Sequence, residues 1–205
     1  MNILGVHIDD KLSWNLHGDF LAKRLCKSVY LLRRLSCTVE RRVLRMAYFA
    51  VFHSILSYCV LVWGHASVAR RMFALQRRAI RIVGGVGYRD ECRPLFINLG
   101  IMTLPALYIY RSMQYVRKHH SAFHQHQFMH DHDTRHKEDI RYPFRRLYKS
   151  RNSMNYWGLK FYNCLPSFIR QLPENVFDKR VRNFLLQDAP YDFKIFDRIA
   201  LIDAI

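Results

Sequence analysis

Apolar residues recur at helical spacing through most of the first 118 positions. In 16–35, Leu21, Leu25, Val29 and Leu32 form one stripe, with Lys23, Lys27 and Arg34 on the opposite side. The next segment, 39–62, opens after Thr38, a residue type suited to cap a helix N-terminus. Its first turns carry Arg41, Arg42 and Arg45 before it becomes apolar, and it stops at Trp63-Gly64-His65, where Gly64 suits a left-handed cap. In 68–83, at about 100° per residue, Arg70, Arg71, Arg77, Arg78 and Arg81 fall within about one third of the helical wheel. Phe73, Ala79, Ile80 and Val83 lie outside that arc, with Met72, Leu75 and Ile82, and Gly84-Gly85-Val86-Gly87 ends the segment. A short helix and turn between Pro94 and Gly100 precede a further helix, 104–118, which tolerates Pro105 in its first turn.

The period differs at the two ends. Between Asn2 and Ile8, Leu4, Val6 and Ile8 alternate onto one face, as in a β-strand. A lone strand leaves its backbone donors and acceptors without partners. Nothing later alternates, so the expectation is one N-terminal strand left from a missing sheet that lies upstream. Residues 119–153 read as a polar, basic connector. A smaller unit follows, with 156–165, a break at Leu165-Pro166, then 168–172, and a last helix, 175–187. Asn175 and Asp178 suggest its N-cap, and Val176, Val181, Phe184 and Leu185 its apolar face. The fold class is mainly α: strand region 1–15, antiparallel helical bundle 16–118, connector 119–153, small C-terminal helical unit 154–187, and a tail, 188–205, that reads as an added or frayed end.

Composition narrows the partners. Half of the 205 residues are hydrophobic and 14% aromatic, which suits a packed chain. Thirty-three Lys and Arg against 16 Asp and Glu give +17, an excess that calls for a polyanion; nucleic acid comes first and anionic lipid second. Cys26, Cys37, Cys59, Cys92 and Cys164 are odd in number and form no CxxC, so they read as reduced packing residues of an intracellular protein, with cytoplasm and nucleus unresolved. The N-terminus lacks a basic leader region, and Asp9-Asp10 interrupts its apolar stretch. Residues 46–63 are nearly apolar over a bilayer-spanning length. His53, Ser54, Ser57 and Tyr58 lie inside, and arginines flank both sides, which favours a buried bundle helix and no membrane.

Candidate chemistry is sparse. Seven of the 11 histidines, His119, His120, His124, His126, His130, His132 and His136, crowd together with Asp131 and Asp133. Without cysteine or a regular element to preorganise ligands, they read as a solvated loop before a zinc site. Asp9-Asp10 reads as a strand-ending turn before a metal site. The glycine cluster follows a helix and lacks Gly-Lys-Ser/Thr, so it is no phosphate loop. Ser13, Ser54 and Ser153 lack a nucleophile setting, and no pair of acids stands out for acid–base work.

Several motifs stand in the order of one known family. Leu4-Gly5-Val6, Asp9, Leu12-Ser13-Trp14 and His17 form an LGV-x-x-D-x-x-LSW-x-x-H segment. Tyr48, Ser54, Leu56, Tyr58 and Trp63-Gly64 follow, then Leu75-Gln76-Arg77-Arg78-Ala79-Ile80-Arg81-Ile82. Cys92-Arg93-Pro94-Leu95-Phe96, Leu99-Gly100-Ile101 and Thr103-Leu104-Pro105 come next, with Thr134-Arg135, Asn163-Cys164-Leu165-Pro166 and Ile169-Arg170. This series resembles the region after the catalytic palm in reverse transcriptases of non-LTR, LINE-type retrotransposons of the jockey-like class. The resemblance implies a thumb-like bundle that grips an RNA or DNA template–primer duplex beside an upstream palm domain. It implies polymerisation by that palm, whose carboxylates hold magnesium, and no cofactor in this segment; the family's aromatic-x-Asp-Asp turn is not among these residues. An alternative is a stand-alone basic helical nucleic-acid-binding protein derived from such an element, and behind it a membrane-associated protein anchored by 39–62. The candidate nucleic-acid contacts are Lys23, Lys27, Arg34, Arg70, Arg71, Arg77, Arg78 and Arg81, while Trp14 and Trp63 read as core anchors.

Overall fold

The computed structural model describes residues 1–123, 139–142 and 153–199, and they are mainly helical. The chain forms two compact units. One comprises Met1–Leu107 with Leu186–Tyr191, the other Tyr108–Leu185 with Asp192–Ile205. The division falls inside the 104–118 helix.

Unit one begins with a hairpin. Asn2–Ile3 (β1) and Val6–His7 (β2) pair with each other, antiparallel, with Asn2 opposite His7 and Ile3 opposite Val6. Leu4 and Gly5 turn the chain between them, both at positive φ (49° and 80°), the combination that the tightest hairpin turns need. The single alternating strand is therefore a two-stranded hairpin. Leu4 points out, 85% exposed, while Val6 is buried. The strand's backbone finds its partner locally, so the physical argument for a missing sheet lapses. Asp9 accepts hydrogen bonds from the backbone N–H of Ser13 at 2.8 Å and its hydroxyl at 2.5 Å, and so belongs to a turn.

Asn15–Leu35 (α1) buries Leu21, Leu25, Val29 and Leu32, as the stripe predicts. Thr38 does not cap the next helix; its hydroxyl donates back to the Leu35 carbonyl, closing α1. Arg41–Tyr48 (α2) runs into a π-helical turn at Phe49–His53, then Ser54–Ser57 (α3). Here the long helix expected over 39–62 breaks. Tyr58 is extended and Cys59 left-handed (φ 49°) before Val60–Trp63 (α4), while Gly64 is right-handed. Val68–Gly84 (α5) ends in a left-handed Gly85, as the glycine cluster predicts. Arg93–Leu99 (α6) ends in a left-handed Gly100, and Leu104–Lys118 (α7) follows.

Three contacts set the order of the bundle. The Ser28 hydroxyl donates to the Val51 carbonyl at 2.7 Å, Gln76 bonds Tyr48, and Gly18 lies so close to Val68 that a Cβ there would meet it at 2.9 Å. Thus α1, the α2–α3 segment and α5 run up, down and up. Gln76 is the polar centre of this core. Its amide donates to the Tyr48 hydroxyl (3.1 Å) and the Met102 carbonyl (2.9 Å), and its oxygen accepts from the Leu104 N–H (2.7 Å). Trp63 is fully buried, but Trp14 is half-buried at the left-handed start of α1, so only one of the two is a core anchor. Residues 188–191 are no frayed end. Ala189 is buried, and the Thr103 hydroxyl donates to the Pro190 carbonyl at 2.6 Å.

In unit two, Met154–Asn163 (α8), Ser167–Arg170 (α9) and Phe196–Ile199 (α11) are helical, as is Glu174–Asp188 (α10), which belongs to this unit through Leu185. Helix α10 starts at Glu174, ahead of the expected Asn175 cap, and it buries Phe177 while Val176 is 44% exposed. Phe193, in the supposed tail, packs against Tyr108, Trp157 and Phe161 at ring distances of 5.1–5.9 Å. The Asn163 side chain pairs with both backbone groups of Ile140. Arg117 donates to the carbonyls of Arg170 and Leu172 beside the Phe177 ring.

Candidate nucleic-acid interface

Lys23, Lys27 and Arg34 are all exposed and, at about 100° per residue, fall within about 40° of one another on α1. They face away from the buried stripe because a helix this amphipathic has room for one core-facing side only. None of the three has an ion-pair or hydrogen-bond partner among the described residues.

The five arginines of α5 do not act as one arc. Arg70, Arg71 and Arg78 are exposed, forming an outer edge. Arg70 and Arg78 have no partner among the described residues. Arg71 pairs with Asp19 of α1 at 2.6 Å, both side chains 61% exposed. A pair this open is worth about 0–1 kcal/mol, so a phosphate can displace the carboxylate at little cost. Lys23 lies one turn beyond Asp19 on α1.

Arg77 and Arg81 turn the other way. The Arg77 guanidinium lies over the Phe73 ring at 5.2 Å, and its Nε is shielded without a partner among the described residues. Arg81 donates to the Asp90 carbonyl at 2.9 Å and stands over Tyr88 at 5.8 Å. Arg81 thereby holds the turn after α5. The sequence placed Arg77 and Arg81 with the other three because an angle on a wheel does not tell which neighbour a long side chain folds back upon.

Two other arginines of unit one do structural work. Arg45 donates to the Leu99 carbonyl at 2.6 Å, at the C-terminus of α6. Arg41 reaches to 3.1 Å of the Cβ position at Gly85, beyond the end of α5. Cations at helix C-termini meet the negative end of the helix dipole.

The remaining candidate chemistry is thin. Among the described residues no group of three His, Cys, Asp or Glu could hold a metal ion, and His124 to His136 lie outside them, with Thr134-Arg135. Hydrogen bonds from Ser13 hold the Asp9 carboxyl below the usual range. All five cysteines are free; Cys26 and Cys37 are exposed, which corrects their reading as packing residues. No described helix is long and apolar enough to cross a membrane. Sequence reasoning passed over Arg93, Tyr191 and Gln76 as functional or structural centres. Gln76 stood inside the motif series as a buried polar residue on an apolar face, which was its signal.

No family model, no curated protein and no solved structure matches the chain.

Proposed function

We propose that this chain binds nucleic-acid backbones through the joined basic faces of α1 and α5, as a thumb-like part of a retrotransposon-type reverse transcriptase. The observation that carries it is the outer edge: Lys23, Lys27, Arg34, Arg70 and Arg78, all exposed and without partners among the described residues, with Arg71 held only by an exposed carboxylate. Arginine and lysine so placed meet phosphate oxygens, read no base edges, and position a duplex. The family itself rests on the motif series. In that reading RNA or DNA template–primer is the partner, an upstream palm domain supplies magnesium and polymerisation, and the site of action is intracellular. The second reading is a stand-alone nucleic-acid-binding protein derived from such an element. Both readings share the interface.

Filter binding to duplex across a salt series tests it. Neutralising roughly four or five phosphates gives a log–log salt slope of about −4. Arg70→Gln, Arg71→Gln and Arg78→Gln together should flatten that slope by about two to three units, because each removes a phosphate contact. Gln keeps good helix propensity, so circular dichroism should be unchanged. An unchanged slope in the folded variant would leave the outer edge as a solvated face.

A further inference from the structure

Arg77 of α5, one turn before Arg81, meets two residues from distant parts of unit one. Arg93 opens α6, and Tyr191 follows α10. The guanidinium carbon of Arg93 lies 4.8 Å from the centroid of the Tyr191 ring, and that of Arg77 lies 6.0 Å from it. Arg81 is close enough that its charge joins theirs in opposing the rise that burial imposes on the phenol. Cys92 sits beside them, its thiol donating to the Arg77 carbonyl at 3.4 Å. No guanidinium of the three has a carboxylate partner among the described residues. The Nε of Arg77 and the hydroxyl of Tyr191 are both shielded from solvent and have no hydrogen-bond partner among the described residues.

Such an arrangement is costly in itself. Shielded polar groups almost always have a partner, and like charges brought together repel. One small oxyanion answers both needs. Its negative charge balances the guanidinium groups, and its several acceptor oxygens can take N–H and O–H donors from different directions. A phosphate carries more charge and more oxygens than a carboxylate, and guanidinium forks match its geometry. Arg93 is exposed, so solvent reaches the cluster from the α6 side.

We propose that Arg77, Arg81, Arg93 and Tyr191 form a phosphate-binding site, separate from the outer edge of α5. The phosphate comes either from a free phosphate ion or pyrophosphate, or from a nucleic acid. The site does not depend on the nucleic-acid reading, because its residues are not those of the outer edge.

Calorimetry on the full chain, with sodium pyrophosphate or inorganic phosphate titrated at constant ionic strength set by chloride, tests the proposal. Saturable binding at unit stoichiometry is expected. Arg93→Gln and Tyr191→Phe should each weaken it about tenfold, since each removes a donor to a charged acceptor. Arg93→Lys, which keeps the charge and loses the fork, should also weaken it. Arg93 is exposed, so its variants should melt as the wild type does, and they carry the test if Tyr191→Phe does not fold. The Arg70→Gln, Arg71→Gln, Arg78→Gln variant should bind pyrophosphate like the wild type, which separates this site from the outer edge. Displacement of pyrophosphate by duplex in that triple variant assigns the phosphate to nucleic acid; no displacement assigns it to the free ion. Absence of saturable binding to the folded wild type, or undiminished binding in Arg93→Gln, overturns the proposal.

Discussion

Arg77 and Arg78 are adjacent in the chain and have opposite fates. Arg78 is exposed and without a partner among the described residues, whereas Arg77 lies over Phe73 with its Nε shielded. Charge alone therefore does not identify an interface residue; the side chain's company does. The same holds for polar residues in the core. Gln76 has no exposed surface, and its amide serves three groups. Gln76→Leu leaves the Leu104 N–H, the Met102 carbonyl and the Tyr48 hydroxyl without it. Urea denaturation should show a loss of about 2–5 kcal/mol, as expected when several buried groups lose their partners together. His17 offers a second measurement. It is buried against Trp63, and its Nε2 has no partner among the described residues. Burial first, and the charge of His7 second, hold its pKa below the ordinary histidine value. The unfolded chain then takes up a proton near pH 6.5 that the folded chain refuses, so this contribution is full above that pH and is lost as pH falls below it. Burial lowers His65 in the same direction. The melting temperature should fall on acidification from neutral pH, and His17→Phe should make that fall shallower. An equal fall in the variant would place the titration elsewhere.

At the scale of elements, the most informative residue is Cys59. The apolar run through 46–63 reads as one helix because nothing in it is a helix breaker by type. The chain breaks there because tertiary contacts repay the cost. With Tyr58 extended and Cys59 left-handed, the Tyr58 carbonyl is released from the helix and accepts the indole N–H of Trp63 at 3.1 Å. A left-handed non-glycine residue costs roughly 1–2 kcal/mol. Cys59→Gly should therefore raise stability or leave it unchanged, and Cys59→Val should lower it by at least about 1 kcal/mol by the same argument, read by thermal melting. A stabilising Cys59→Val would mean that the turn is not held in this conformation. The hairpin was hidden for a related reason. Leu4 occupies a turn position usually held by Asn, Asp or Gly, so its alternation with Val6 looked like strand. What sequence did disclose depended on periods long enough to average over such exceptions: the stripe of α1, the course of α5 to Gly85, and α7. The outer basic edge was legible on the same wheel. The cluster around Tyr191 was not, because it unites residues more than a hundred positions apart and one of them stands in a segment without period.

For the molecule as a whole, the excess of 33 basic over 16 acidic residues should act on folding and on the proposed binding with opposite signs. Cations that crowd one side of α1 and α5, with a further group around Tyr191, repel one another in the free protein. Added salt screens that repulsion, since the Debye length shrinks from about 30 Å at 0.01 M to about 10 Å at 0.1 M. The free chain should therefore melt at a higher temperature as sodium chloride rises over that range. Binding to duplex should weaken over the same range, because phosphate contacts release counterions whose return becomes easier in salt. A polyanion added at low salt should raise the melting temperature more than the same equivalents of chloride, since it brings many negative charges at once and favours the folded chain that displays the joined faces. The Arg70→Gln, Arg71→Gln, Arg78→Gln variant should then show both effects reduced together: a smaller gain from salt when free and a smaller gain from polyanion. If salt destabilises the free wild type, self-repulsion is not the dominant whole-molecule term. If the variant keeps the full polyanion effect while its response to salt shrinks, the polyanion grips another part of the surface.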